Sequence, residues 1–357
     1  MENKREYALD TIRIVISVIV VFAHFQLCLG ADYRVDFVSD IGTFSYSYLM
    51  ELFFMLSGFF TARYVRRIRN GLSFRSFFLR RYLRLLPLMA LSSVSWSALF
   101  ILLGHHRPGS MWANQAPTLW GTVLTSLGFQ EGWGFHNSYV NHPLWFLSVL
   151  IFCYVLFYVL VRAAKRLEIS PYYLFGAMIF VGVGVRNYGI ELPFLNSTMC
   201  RGYYSFFPGV LLAALLQKRK PGKLVLGLCA LLVAGILALI GTGHFTPIGD
   251  MQLVMTFLFH PALIVLLHSD TAARLFKSPV IGLLGKASFS VYVWHMSGIL
   301  IVAALNTRRI VSLGAHPMTS MFVFTGCMFL FGIFSYYCIE KPCARLTDRL
   351  LARLPEN

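Results

Sequence analysis

Apolar stretches long enough to cross a bilayer recur ten times along this chain, at about 9–29, 44–62, 83–103, 143–163, 172–189, 203–217, 222–241, 251–268, 283–305 and 318–338. A helix adds 1.5 Å per residue, so about 20 apolar residues match a hydrocarbon slab roughly 30 Å thick. Lipid offers no hydrogen bonds, so every backbone N–H and C=O must be satisfied internally. Each run is therefore predicted to be an α-helix. The composition agrees: 57% of the residues are hydrophobic and 13% charged, where a soluble domain carries about 25% charged residues. The expected fold is all-α, a polytopic transmembrane helix bundle of about ten spans. No linker, low-complexity run or internal repeat divides residues 1–357, so one domain is expected. The basic start, Lys4-Arg5, precedes a run too long for a signal-peptide core, with no small-residue cleavage site after it. The first span is read as retained.

The connections alternate in charge. The N-terminus, the even-numbered loops and the C-terminal tail hold 25 of the 31 lysines and arginines, counting those at the span ends. The other loops hold Arg34, Arg107, Arg186, Arg201, Arg308 and Arg309. The positive-inside rule then places both termini in the cytoplasm. The net charge of +16 is mostly topology, and no nucleic-acid partner is needed to explain it. One cluster exceeds what orientation requires. Arg63, Arg66, Arg67, Arg69, Arg75, Arg80, Arg81 and Arg84 crowd the second loop with no lysine or acid. Guanidinium groups grip phosphate through paired hydrogen bonds, so the partner is either lipid headgroups or a phosphate-rich ligand. The seven cysteines form no CxxC and no metal-ligand spacing. Most read as small buried hydrophobes, and a Cys28–Cys200 disulfide is the one pairing considered. His105, His106 and His136 share the longest external loop, but their spacing is not that of a metal site and no acid accompanies them closely, so no metal site is expected. Trp112, Trp120 and Trp133 in that loop either stack on sugar rings or anchor at the interface.

Polar residues inside the spans are expensive and point to function. In the first span Arg13 and His24 are eleven positions apart, close to three helical turns. They share one face and are separated by roughly 16 Å along the axis. Asp10 and Ser17 fall on the same stripe, which must face protein or a water-filled cavity rather than lipid. Arg13 snorkels to headgroups, pairs with Asp10 at i−3, or completes a phosphate site. His24 lies roughly 8 Å below the outer end of its span and Glu51 roughly 10 Å below that of the next. Glu51 therefore either orients His24 or pairs with an arginine. In the ninth span Ser288, Tyr292 and His295 share a face. His295 falls near mid-depth, as a working or a packing histidine. His260, before Pro261, marks a kink. Trp145 reads as an interface aromatic, within a built turn His142-Pro143-Leu144-Trp145-Phe146-Leu147.

Six short strings then occur in order along nearly the whole chain. They are Leu9-Asp10-Thr11-Ile12-Arg13 with His24, Glu51-Leu52-Phe53-Phe54-Met55-Leu56-Ser57-Gly58-Phe59, and Arg80-Arg81-Tyr82-Leu83-Arg84-Leu85-Leu86-Pro87. Leu144-Trp145-Phe146-Leu147, Gly285 to His295, and Glu340-Lys341-Pro342 complete the set. Together they resemble the membrane acyltransferase-3 family, which O-acylates surface polysaccharides and related acceptors. Two departures are small: Phe289 stands where tyrosine is common, and Thr11-Ile12 replaces a glycine-containing variant.

The resemblance implies a bacterial cytoplasmic (inner) membrane acyltransferase, without the hydrolase-like domain that some members carry. The donor would be cytoplasmic acyl-CoA, with acetyl-CoA the commonest. The acceptor would be a hydroxyl of a free or lipid-linked surface glycan, such as lipopolysaccharide O-antigen or exopolysaccharide. On that reading His24 is the general base and Glu51 orients it. Arg13, Arg81 and Arg84 hold the donor's phosphates. Trp145, Tyr292 and His295 lie against substrate, and no metal takes part. A variant of the mechanism has His24 accept the acyl group itself. Two alternatives stay open: an acyltransferase for small molecules or lipids, and a proton-coupled transporter, although no inverted halves are evident. The sequence leaves the oligomeric state open.

Overall fold

A computed structural model describes residues 7–30, 33, 35–38, 48–105, 116–133, 140–242 and 251–352. Lys4, Arg5, Arg34, His106, Arg107, Trp112 and His136 lie outside the described residues. Within them the chain is all-α. The extended contact that forms is an isolated bridge between Leu192 and Leu195. Helix occupies every one of the ten apolar intervals. Among the described residues seven helical runs are long and apolar enough to cross a membrane: Tyr7–Leu29, Phe74–Leu102, His142–Arg166, Ser197–Lys218, Lys223–Gly241, Pro279–Thr307 and Pro317–Leu351. Leu49–Thr61 and Met251–Leu267 are apolar but shorter, and Pro171–Asn187 fills the fifth interval.

The chain divides into two compact units, each assembled from three stretches. The first comprises Met1–Leu49, Val94–Pro117 and Pro221–Cys338. The second comprises Met50–Ser93, Thr118–Lys220 and Ile339–Asn357. In chain order the helices are α1 (Tyr7–Leu29), α2 (Leu49–Thr61), α3 (Tyr64–Arg69), α4 (Phe74–Leu102), α5 (Leu119–Ser126), α6 (Trp145–Arg166), α7 (Pro171–Asn187) and α8 (Ser197–Lys218). They continue with α9 (Lys223–Gly241), α10 (Met251–Val254), α11 (His260–Leu267), α12 (Asp270–Leu275), α13 (Pro279–Thr307), α14 (Pro317–Ser335) and α15 (Lys341–Ala352).

In the first unit α1 packs along α13, α13 packs on α14, and α9 packs on α11. Small residues permit the close contacts. A Cβ on Gly332 of α14 would lie 2.6 Å from the Val291 side chain of α13. Trp294 donates its indole N–H to Ser335 at 3.0 Å across the same pair, satisfying a polar atom that burial would otherwise strand. The eighth interval is broken where Pro261 was read as a kink. A π-helical turn at Met255–Phe259 precedes it, and His260 is fully buried at the start of α11. Proline supplies no N–H, and the wider turn absorbs the missing bond.

In the second unit a ladder of stacked rings runs Phe77–Phe157–Phe175–Phe207, with centroids 5.7, 5.5 and 5.4 Å apart, linking α4, α6, α7 and α8. α2 and α8 cross at reciprocal glycines. A Cβ on Gly58 would lie 1.9 Å from the Phe206 carbonyl oxygen, and one on Gly209 would lie 2.0 Å from that of Met55. Only glycine lets the two backbones approach this closely, the same device that small residues provide in membrane helix pairs.

Two sequence expectations are corrected here, and one open pairing is answered. The arginine-rich loop is helical: α3 and the first turns of α4 carry all of its arginines except Arg63, which lies in the connecting turn. Apolar Val65, Ile68 and Phe77 bury one side of this hairpin, so its helices form without membrane-length hydropathy. Arg201 is not an external-loop charge but belongs to α8. Asn196 caps that helix by accepting from the N–H groups of Thr198 and Met199, which starts the helix six residues ahead of the apolar run. All seven cysteines are free thiols, so the Cys28–Cys200 bridge is not formed.

Candidate active site

The polar stripe of α1 faces α13, and the two helices run parallel along it. At one end Asp10 fills the space that Gly285 leaves open, where a Cβ would lie 2.7 Å from that of Asp10. Asp10 also takes Arg13 at 3.3 Å, the i−3 pairing. Further along, the Ser17 hydroxyl donates to the Ser288 carbonyl at 3.3 Å, and Ser288 donates to Gly285 at 3.0 Å. At the far end the rings of His24 and His295 lie 4.9 Å apart, tilted by 57°. Tyr292 is buried beside them, its ring 5.9 Å from that of His295.

The hydrogen bonds of the two histidines define their tautomers. His24 Nδ1 lies 2.9 Å from the Val20 carbonyl oxygen. His295 Nδ1 lies 2.6 Å from that of Tyr292. A carbonyl only accepts, so in each neutral ring Nδ1 carries the hydrogen and Nε2 carries the lone pair. Each base is thus poised by its own helix, through a carbonyl three or four residues back. His24 is 5% exposed and His295 fully buried.

In the second unit Glu51 is fully buried on α2. Of the two readings of Glu51, the arginine pairing is present. Arg201 Nε reaches Oε1 at 2.6 Å and its terminal nitrogen reaches Oε2 at 3.0 Å, a bidentate fork. The Tyr204 hydroxyl donates to Oε1 at 3.4 Å. The guanidinium lies over the Trp145 ring at 4.9 Å. Trp145 thereby backs a buried ion pair. It opens α6 directly after the 3₁₀ turn His142–Leu144, where Asn141 adopts a left-handed φ of 48°. Arg201 and Tyr204 carry no motif signal. The capping string Asn196-Ser197-Thr198 before an apolar run was the one clue that Arg201 is helical.

The arginine hairpin is built around Tyr64. The Arg81 guanidinium stacks 3.9 Å from both the Tyr64 and Phe77 rings, 5.3 Å from Tyr154, and donates to the Phe77 carbonyl at 3.0 Å. Arg63 and Arg67 each lie 5.2 Å from the Tyr64 ring. Burial pushes the Tyr64 hydroxyl up, but the charges of Arg81, Arg63 and Arg67, with the Arg81 hydrogen bond, outweigh it and leave it below its ordinary value. Such a cluster of cations favours an anion. Arg84 is more exposed and lies 3.9 Å from Glu340, while Arg80 pairs with Asp348 at 3.3 Å. Two strings far apart in sequence, Arg81 to Arg84 and Glu340-Lys341-Pro342, therefore meet.

No group of three metal-ligating side chains occurs among the described residues. Trp120 and Trp133 are exposed, and the His105 ring packs edge-on against Phe100.

The comparisons with known proteins bear on these motifs. Proteins named "Putative O-acetyltransferase" in Staphylococcus aureus strains COL, MSSA476 and MRSA252 are each 24% identical over 328 residues, covering 82% of this chain and 52% of theirs. The chain thus spans about half the length of the curated relatives it matches. No solved structure matches it. The model of the acyltransferase domain matches residues 6–339. That match takes in the first five motif strings and ends one residue before the closing one, Glu340-Lys341-Pro342, and the chain belongs to the acyltransferase-3 family.

Proposed function

We propose that this chain is a single membrane acyltransferase domain of ten spans in a bacterial cytoplasmic membrane, with both termini cytoplasmic. It moves an acetyl group from cytoplasmic acetyl-CoA to a hydroxyl of a surface glycan of the O-antigen or exopolysaccharide kind. The observation that carries this reading is the tautomer of His24. Its Nδ1–H is tied to Val20, which leaves Nε2 as a base on a buried polar helix face, as removal of a hydroxyl proton requires.

Arg81 and Arg84 on the hairpin, with Arg13 on α1, hold the donor's phosphates. The clustering of guanidinium groups around Tyr64 fits a polyanion, and the parallel course of α1 and α13 fits the alternating topology. The acceptor oxygen attacks the thioester carbonyl carbon as its proton passes to His24 Nε2. The C–S bond then breaks and coenzyme A leaves as a thiolate. Trp145, Tyr292 and His295 contribute to the substrate path. Glu51, held by Arg201, fixes α2 and α8 in the geometry the site needs.

The test is O-acetyl content of surface polysaccharide, read by NMR in cells lacking the gene and complemented with wild type or His24→Ala. Loss of the acetyl signal, restored by wild type alone, supports the reading. An unchanged glycan with acetyl-CoA turnover by purified protein redirects the acceptor to small molecules or lipids. No acetyl-CoA turnover at all favours a carrier.

A further inference from the structure

We propose that His295 is a second catalytic residue, which shares with His24 the proton taken from the acceptor. The inference rests on the acyltransferase reading and extends it from one base to a pair.

The argument starts from the two tautomers. Each Nδ1–H is committed to a backbone carbonyl of its own helix. Each ring therefore presents an Nε2 lone pair, and the centroids are 4.9 Å apart. Two lone pairs cannot hydrogen-bond to each other. Correspondingly, His295 Nε2 has no hydrogen-bond partner among the described residues, although His295 is fully buried. A buried acceptor left in this state carries an uncompensated desolvation cost, and such an atom in a native interior calls for a specific explanation, a catalytic role among them. What His295 Nε2 lacks is a proton to accept, which is what an acceptor hydroxyl delivers through His24.

The step balances without another reagent. The acceptor O–H breaks as the new O–C bond forms at the thioester carbonyl. The proton moves to His24 Nε2, and the resulting N–H donates to His295 Nε2, so the positive charge is spread over two imidazoles in a low-dielectric site. When the C–S bond breaks, the thiolate sulfur takes that proton and both rings return to their starting tautomers.

The test compares His295→Asn and His295→Ala with wild type in detergent-purified protein. Thiol release from acetyl-CoA is the assay, with water as the accepting hydroxyl. Asparagine keeps a donor near the Nδ1 position and removes the base. The expected result for His295→Asn is a kcat at least 100-fold lower, with KM for acetyl-CoA and the unfolding temperature close to wild type. The second readout needs no turnover. The ¹⁵N NMR spectrum of histidine-labelled protein should show Nδ1 protonated and Nε2 bare in both residues. A wild-type kcat in His295→Asn overturns the proposal, as does a proton on either Nε2 at neutral pH. Absence of acetyl-CoA turnover in wild type, with both Nε2 atoms bare, refutes the acyltransferase reading and withdraws the catalytic role with it, while upholding the tautomer pair.

Discussion

Replacing Arg201 with methionine tests the buried ion pair most directly. The substitution keeps the apolar stem against Trp145 and removes the fork that holds Glu51. Glu51 is fully buried and the Arg201 side chain 23% exposed, so little solvent screening softens the loss. At an effective dielectric near 20, charges centred about 4 Å apart attract by about 4 kcal/mol. Breaking a buried pair from one side costs about 3–5 kcal/mol, because the remaining charge is stranded. An unfolding entropy of about 2.1 cal/mol/K per residue, over 357 residues, gives roughly 0.75 kcal/mol/K, so Tm should fall by about 4–7 °C. The assay is thermal unfolding of detergent-purified protein. The double variant Glu51→Met/Arg201→Met removes both charges and should recover most of the loss. A Tm drop under about 1 °C for Arg201→Met, or a double variant no more stable than the single one, would refute the reasoning.

Three further outcomes are expected. Gly209→Ala places a Cβ 2.0 Å from the Met55 carbonyl oxygen and should destabilise by about 1–3 kcal/mol. Gly227→Ala in α9 meets nothing within 4 Å and should gain up to about 1 kcal/mol of helix propensity; thermal unfolding of the two variants must move in opposite directions. Glu131, in the connection before α6, is pushed up to about 7 by burial and by the Glu191 charge. Its folded value lies above the unfolded one, so its contribution is fully present below about pH 4.5 and is lost as pH rises through 7. Glu131→Gln should therefore raise Tm at pH 8 and leave it nearly unchanged at pH 4.5; an equal shift at both would count against the assignment. Arg81→Lys keeps the charge but loses the planar stacking on Tyr64 and Phe77. KM for acetyl-CoA should rise several-fold, and a KM equal to wild type would remove Arg81 from the donor site.

How much of this was legible in the sequence depended on whether the information was local. Ten apolar runs marked ten helical intervals because span length is a one-dimensional property. The stripe Asp10–Arg13–Ser17–His24 was readable as a protein-facing surface from helical periodicity alone. Its partner was not. Ser17 meets Ser288 across 271 positions, and periodicity gives a residue's depth and its own helical face but not which helix that face meets. Glu51 shows the same limit. Its need for a partner followed from burial, yet Arg201 was hidden because charge counting placed it outside the apolar run, and only the Asn196 cap brings it into α8. The arginine hairpin was recognised by composition and mistaken in shape, because its helices are held by aromatic stacking that no hydropathy window detects.

The Glu51–Arg201 pair also constrains how the protein is made. The two residues are 150 positions apart. At about 5–20 residues per second of synthesis, α2 leaves the ribosome roughly 8–30 s before its counter-charge exists. Through that interval α2, which spans 13 residues among those described and bears a lone acid, is a poor candidate for independent residence in lipid. Its partition into the bilayer has to wait on the translocation machinery, or be completed late, when α8 arrives. Folding of this half of the molecule is thereby paced by translation. A ribosome stalled before residue 201 should leave α2 accessible to water-soluble cysteine reagents, and one stalled after α8 should not.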